Sequence, residues 1–249
     1  MGRAGGGADR GDPAGARVVR HAVDYHNELA HTWEGRYDRP SFKRREQVVK
    51  SFIMDQQPLA SRQWIDAGCG TGRLSRVLAG QGADVVGVDA AEEMLVIGRQ
   101  LAESSGVGNR LRFQHVNDVM QLPFPAGGFD GILCSSVLEY LSDPLGCLRE
   151  FARVLRSGGT LIISIPNRDS ILRRAHSVEY RLTRLLGHPG RPAYMRHSKN
   201  AFGIGEFGRV LAATGFTPIR SECFGGPSPE FAQNWRGLAP LILFEARRT

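Results

Sequence analysis

Trp64-Ile65-Asp66-Ala67-Gly68-Cys69-Gly70-Thr71-Gly72, with Arg73, Leu74, Val77 and Leu78 following at helical spacing, reads as a short apolar strand, a carboxylate, a glycine loop and a helix. Glycine is used where a Cβ has no room, and a junction of this kind brings backbone N–H groups and a helix N-terminus up to a ligand. The spacing G-x-G-x-G is shorter than the G-x-G-x-x-G of a dinucleotide site, whose last glycine lets the helix start approach a pyrophosphate. A purely structural glycine turn is the alternative reading.

The segments that follow keep the same style. Ala83 to Asp89 is a second apolar run closed by a carboxylate. In a doubly wound sheet such a carboxylate stands beside a nucleoside ribose, although an Asp there also serves as a helix N-cap. A third run, Leu111 to Val116, leads to Asp118-Val119-Met120-Gln121-Leu122-Pro123-Phe124, where Asp118 reads as a binding residue or as a turn residue. Phe129 to Tyr140 and Phe151 to Leu161 complete the series.

Taken in order over residues 60–166, these segments resemble the motifs of class I S-adenosylmethionine-dependent methyltransferases. The match runs through the strand–Asp–x–Gly–x–Gly–x–Gly loop, the acid after strand 2, the Asp-x-x-x-Leu-Pro-Phe segment and the Phe-Asp-x-hydrophobic run ending in Leu138-Glu139-Tyr140. It ends with Arg153-Val154-Leu155-Arg156-Ser157-Gly158-Gly159, in which Ser157 stands where the family has Pro; the paired glycines still turn the chain. The core is similar to ubiquinone-pathway O-methyltransferases.

The resemblance implies an α/β, Rossmann-like sheet of seven strands, mostly parallel with an antiparallel last strand. The strands are expected near residues 63–67, 84–89, 111–116, 130–135, 159–165, 217–224 and 239–246. It implies S-adenosylmethionine as cofactor, held by Asp66, Gly68, Cys69, Gly70 and Gly72, by Asp89 at the ribose, by Ala90, Met94, Asp118 and Val119 around the adenine, and by Ser135. Tyr25, Trp33 and Tyr37 lie in a stretch similar to the cover that closes over the cofactor in small-molecule methyltransferases.

Composition bounds the rest. A chain of 249 residues suits one α/β domain with appendages. No run approaches the roughly 18 apolar residues of a membrane span, and no signal-peptide apolar region opens the chain. Cys69, Cys134, Cys147 and Cys223 lack metal-ligand spacing and read as small buried hydrophobes in a cytoplasmic protein. The net charge of +7 is almost wholly arginine and concentrates between Thr160 and Lys199. No aromatic-interleaved basic patch accompanies it, which argues against nucleic acid.

Residues 1–17 are expected to be a disordered tail, 18–56 a helical cover and 57–249 the cofactor-binding core, with a cap insertion at 166–201. In the insertion Ile171, Ala175, Val178, Leu182 and Leu185 recur at four- and three-residue steps, predicting a helix with one apolar stripe and a basic opposite face. That face reads as solvated, as a site for an anionic acceptor using Arg173, Arg174, Tyr194 and His197, or as a contact with a membrane surface.

The implied chemistry is transfer of a methyl group to oxygen or nitrogen of a small biosynthetic intermediate. The alternatives are transfer to carbon and a donor-binding cyclase or regulator that transfers nothing. An acceptor proton needs a base, for which Tyr140, His31 and His26 are the candidates. Metal-dependent ubiquinone relatives read Glu-x-x-Glu-His after strand 4. Ser136, Glu139 and Tyr140 occupy those positions here, so no metal is expected.

Overall fold

The computed structural model describes residues 22–188, 190, 193–196, 198–225 and 237–249. Residues 22–29 form helix α1. The 3-10 turns Ala30–Thr32 and Glu34–Asp38 lead from it to α2 (Pro40–Met54). The core then alternates: β1 (Gln63–Ala67), α3 (Arg73–Gly80), β2 (Asp84–Asp89), α4 (Glu92–Ser104), β3 (Leu111–His115) and β4 (Phe129–Ser135). The 3-10 turn Leu138–Tyr140, α5 (Pro144–Val154), β5 (Leu155–Pro166), α6 (Ile171–Leu185), α7 (Ile204–Ala213), β6 (Phe216–Phe224) and β7 (Leu241–Arg248) complete it.

The seven strands form one sheet in the order β3-β2-β1-β4-β5-β7-β6, and β7 runs antiparallel to both neighbours. Alternation along each strand splits the core into two layers. Ile65, Val86, Ile132 and Ile163 face α5 and α7 through Leu148, Phe151, Phe207 and Leu211. Trp64, Val85, Leu133 and Ile162 face α2 and α3 through Val49, Phe52, Ile53, Leu74 and Leu78. Both faces being covered explains the near-continuous apolar runs of the parallel strands.

β5 begins earlier than the sequence suggests. Leu155 pairs with Phe129 directly after α5, and the register then jumps so that Thr160 pairs with Gly131. The predicted turn is therefore present, with Gly158 at φ +72°, but as an irregularity inside the strand.

The predicted cap helix is α6, and the orientation of its stripe is the larger surprise. Ile171, Val178, Leu182 and Leu185 point outward, and Arg173 is buried. Ser170 caps the helix by accepting from Arg173 N–H. The segment after it is tied to the core: Asn200 Nδ2 donates to the Leu138 and Leu141 carbonyls at 2.8 Å each.

Candidate functional site

The order β2-β1-β4 reverses chain direction of travel across the sheet at β1, and α/β folds open their ligand crevice at the C-terminal strand ends of such a point. A cavity of about 720 Å³ opens there, lined from the glycine loop, the tips of β1, β2 and β4, the α1–α2 segment and α6.

The glycine loop forms the floor by shape. Gly68, Gly70 and Gly72 all have φ between 54° and 72°, the left-handed region that L side chains avoid. A Cβ on Gly68 would meet Val137 Cγ2 at 2.2 Å, whereas one on Gly70 would find only Trp33 Nε1, at 3.8 Å, across the cavity. Four N–H groups of this loop, those of Gly68, Cys69, Gly70 and Gly72, are used internally, the last by the Cys69 carbonyl. Gly68 and Cys69 donate to the Val88 carbonyl, and Gly70 donates to Asp89 Oδ2 at 2.8 Å. Gly72 faces Phe113 and lies off the cavity wall.

Three carboxylates sit along this floor. Asp89 accepts from Gly70 N–H on one oxygen and from Ala91 N–H on the other, so it ties down the loop and holds the turn that leads into α4. Each oxygen retains a second lone pair for a ligand hydroxyl. Asp118 accepts from Met120 N–H at 2.8 Å, and so is at once a turn residue and a cavity residue. Asp66 is fully buried and accepts from Ser75 Oγ at 2.6 Å; burial, against that hydrogen bond, pushes its pKa up to about 7. Ala90, Met94 and Val119 supply the apolar wall between Asp89 and Asp118. Burial keeps the Cys69 thiol protonated.

The cover is locked to the loop by charge. Glu34 accepts from Thr71 Oγ1 at 2.5 Å, from Arg73 at 3.0 Å and from Arg76 at 3.3 Å. Arg73 also reaches Glu46 at 2.8 Å. Burial works to raise the Glu46 pKa, but Lys50 and Arg73 outweigh it and hold the carboxyl below its ordinary value. Tyr25, His26, Trp33 and Tyr37 all reach the cavity. His26 packs edge-on against Tyr25 and Tyr140, with centroids 5.5 and 5.6 Å away.

The far end of the cavity is more polar. Ser135 and Ser136 line it at the tip of β4, and Ser136 holds φ +60°, its N–H donating to Ser164 Oγ at 2.9 Å. A non-glycine residue held in that region at a cavity wall is strain retained at a site. Arg45 reaches over from α2 to Ser136 Oγ at 3.4 Å, and Arg173 comes in from α6, bonded to Ser198 Oγ at 2.5 Å. Glu139 is 6% exposed and its Oε2 has no hydrogen-bond partner. Burial raises its pKa to about 7, against its own backbone N–H and the attraction of Arg45 and Arg173. Burial and then the adjacent Glu139 raise the Tyr140 pKa further above its ordinary value.

Two expected residues lie elsewhere. His31 is exposed and outside the cavity, because the Ala30–Thr32 turn buries Ala30 and turns its neighbour outward. Arg174 faces solvent and sits 4.0 Å from Asp169, since the helix places Arg173 inward and the next residue about 100° away. The side chain of Tyr194, His197 and the 1–17 tail lie outside the described residues. Among the described residues no group of three His, Cys, Asp or Glu side chains is arranged to hold a metal ion. Sequence reading missed Glu139 as a site residue although it stands inside the quoted Leu-Glu-Tyr run, and it missed Arg45 and Glu34 of the cover and Arg73 at the start of α3, whose contacts leave no motif.

Residues 65–163 match a family described as methyltransferase domain. The ubiquinone biosynthesis O-methyltransferase of Xylella fastidiosa is 36% identical over 122 residues, covering 49% of this chain and 48% of that protein. That of Marinobacter nauticus is 33% identical over 119 residues, covering 48% and 50%. The chain thus spans about half the length of the curated relatives it matches. Among solved structures, magnesium protoporphyrin IX methyltransferase from Synechocystis, with bound S-adenosylhomocysteine, superposes with TM-score 0.69 at 22% identity, covering 92% of this chain and 99% of that one. A (4+2)-cyclase superposes with TM-score 0.61 at 19% identity, covering 80% and 79%. At these identities the structural likenesses establish the fold.

Proposed function

We propose that this chain, whose centre is a class I methyltransferase domain, takes S-adenosylmethionine as methyl donor and methylates a hydroxyl group of a small molecule. The observation that carries the reading is the single cavity running from the glycine loop and Asp89 to Glu139 and Tyr140. Its first half fits an adenosyl group: Asp89 has lone pairs to spare beside the loop, Asp118 stands further along, and Ala90, Met94 and Val119 offer an apolar slot. Gly70 presents open space where any side chain would intrude.

When bound, S-adenosylmethionine supplies a sulfonium methyl group open to in-line attack. The residues of this chain hold, align and dry the reactants. Trp33, Tyr37 and Tyr25 close the cover over the loop, and their rings suit a sulfonium charge. His26 and Tyr140 wall the acceptor end, where Arg45 and Arg173 favour an acceptor carrying negative charge. Incubating the protein with methyl-labelled S-adenosylmethionine and a small-molecule extract of its source tests the reading. Label moving into a small molecule supports it; donor binding without transfer would favour the cyclase-like alternative.

The outer face of α6 supports a peripheral contact with an anionic membrane surface. Ile171, Val178, Leu182, Leu185 and Leu186 are between 55% and 82% exposed, and Arg174, Arg181 and Arg184 stand exposed on the same helix. An apolar stripe flanked by arginines is the pattern of a helix lying in the lipid interface. No helix of the described residues is long and apolar enough to cross a membrane. Among the described residues no two cysteines form a disulfide, and this reading places the chain in a reducing cytoplasm.

A further inference from the structure

Among the described residues that line the cavity, Glu139 carries the one fully buried carboxylate oxygen without a hydrogen-bond partner. It is 6% exposed, it lines the acceptor end, and Oε2 lacks a hydrogen-bond partner. Buried carboxylate oxygens are costly unless satisfied; Oε2 itself is sealed from solvent, and a turn of the carboxyl toward the cavity would give it a ligand donor. Its backbone is fixed from the cap side, where Lys199 and Asn200 N–H groups donate to the Glu139 carbonyl at 2.8 and 3.3 Å. The terminal torsion of a Glu is soft, so either oxygen can turn to the cavity.

The other candidates fit the task less well. The Tyr140 phenol is held protonated by burial and by Glu139, which makes it a donor at neutral pH. The His26 ring gives Nδ1 to the Ala22 carbonyl at 2.7 Å and is packed among Tyr25, Trp33 and Tyr140, the setting of a wall residue.

We propose that Glu139 is the base that takes the proton of the acceptor hydroxyl, which it touches through an oxygen at the end of the cavity. The inference rests on the methyl-transfer reading above. The transfer balances: the acceptor oxygen forms the new C–O bond, the C–S pair leaves with sulfur, and the O–H proton passes to the Glu139 carboxylate. The charged and titratable groups facing Glu139 are Arg45 of α2, Arg173 of α6 and Tyr140 beside it. The two guanidiniums stabilise an oxygen that becomes anionic as it loses its proton. A carboxylate raised to about 7 is a base matched to neutral pH and suits an acidic hydroxyl, phenolic or enolic.

The test uses the full chain loaded with S-adenosylhomocysteine and 4-nitrophenol as an ionisable hydroxyl probe. Titration calorimetry at about pH 8, in two buffers of different ionisation heat, counts the protons exchanged on binding. Glu139 and the free probe are then both mainly anionic, and two anions in contact must share a proton. The expected result is uptake of close to one proton per probe bound by the wild type and by His26→Gln, and none by Glu139→Gln. Failure of S-adenosylhomocysteine to bind overturns the donor reading and this inference with it. If it binds and the wild type takes up no proton, or binds no probe, or Glu139→Gln takes up as much, the assignment to Glu139 falls and the donor reading stands. Unchanged S-adenosylhomocysteine affinity in Glu139→Gln confirms that the variant is folded.

Discussion

Asp89 Oδ2 accepts the Gly70 N–H at 2.8 Å, so the carboxylate that ends β2 also sets the shape of the glycine loop that ends β1. A single side chain thereby couples the two halves of the donor site. Asp89→Ala is expected to lose the bonds to Gly70 and Ala91 as well as any ligand bond. Hydrogen bonds to a charged group are worth roughly 1.5–3 kcal/mol each, so S-adenosylhomocysteine affinity should fall by at least about tenfold and the melting temperature should drop as well. Calorimetry and thermal melts check both; an affinity drop without a stability drop would mean that the loop holds its shape without Asp89.

Gly68→Ala meets two separate obstacles, a φ of +71° and the Val137 Cγ2 at 2.2 Å. Left-handed backbone strain alone is of order 1–3 kcal/mol for a residue with a Cβ. The substitution should lower unfolding free energy by more than that range. The double variant with Val137→Ala should recover the steric part and leave the strain. Urea denaturation of the three proteins checks the partition, and full recovery would show that the backbone carries no strain there.

Stability should fall as pH rises between about 4 and about 7. Asp66 and Glu139 are both raised by burial to about 7, from 3.8 and 4.5, so the folded chain keeps protons that the unfolded chain has lost. Where the folded state binds more protons, unfolding free energy decreases with pH; the stabilisation is complete below the unfolded values and gone above the folded ones. The slope should add up to a few kcal/mol at most between pH 5 and 8. Asp66→Asn and Glu139→Gln should each flatten it, and a wild-type curve that is flat over that interval would contradict the burial of these carboxyls.

Much of this was legible before any coordinates. The strand–carboxylate–glycine rhythm places β1, β2 and β4 within a residue because each is buried on both faces and bounded by residues that end strands. β5 was set late because its first residue, Leu155, joins the sheet before Gly158 and Gly159 bend it. The α6 period is legible in the sequence and its direction is not, since periodicity gives a stripe but not what covers it. The Arg73–Glu34 ion pair and the Arg45–Ser136 hydrogen bond were invisible because contacts between segments far apart in sequence leave no local pattern.

The exposed stripe of α6 predicts binding to vesicles containing anionic lipid. Leu182→Glu with Leu185→Glu should weaken sedimentation with phosphatidylserine vesicles by about tenfold or more, since each residue otherwise buries apolar area worth roughly 1.5–3 kcal/mol. The donor affinity should stay unchanged, because both side chains point away from the cavity. Equal sedimentation of wild type and variant would leave the stripe without this role.

The most direct test of the central claim is a crystal structure of the full chain with S-adenosylhomocysteine. The account predicts the ribose hydroxyls on Asp89, the adenine between Met94 and Val119 near Asp118, and the sulfur directed toward the Glu139 and Tyr140 end of the same cavity. Ligand density outside that cavity, or inside it without contact to Asp89, would contradict it.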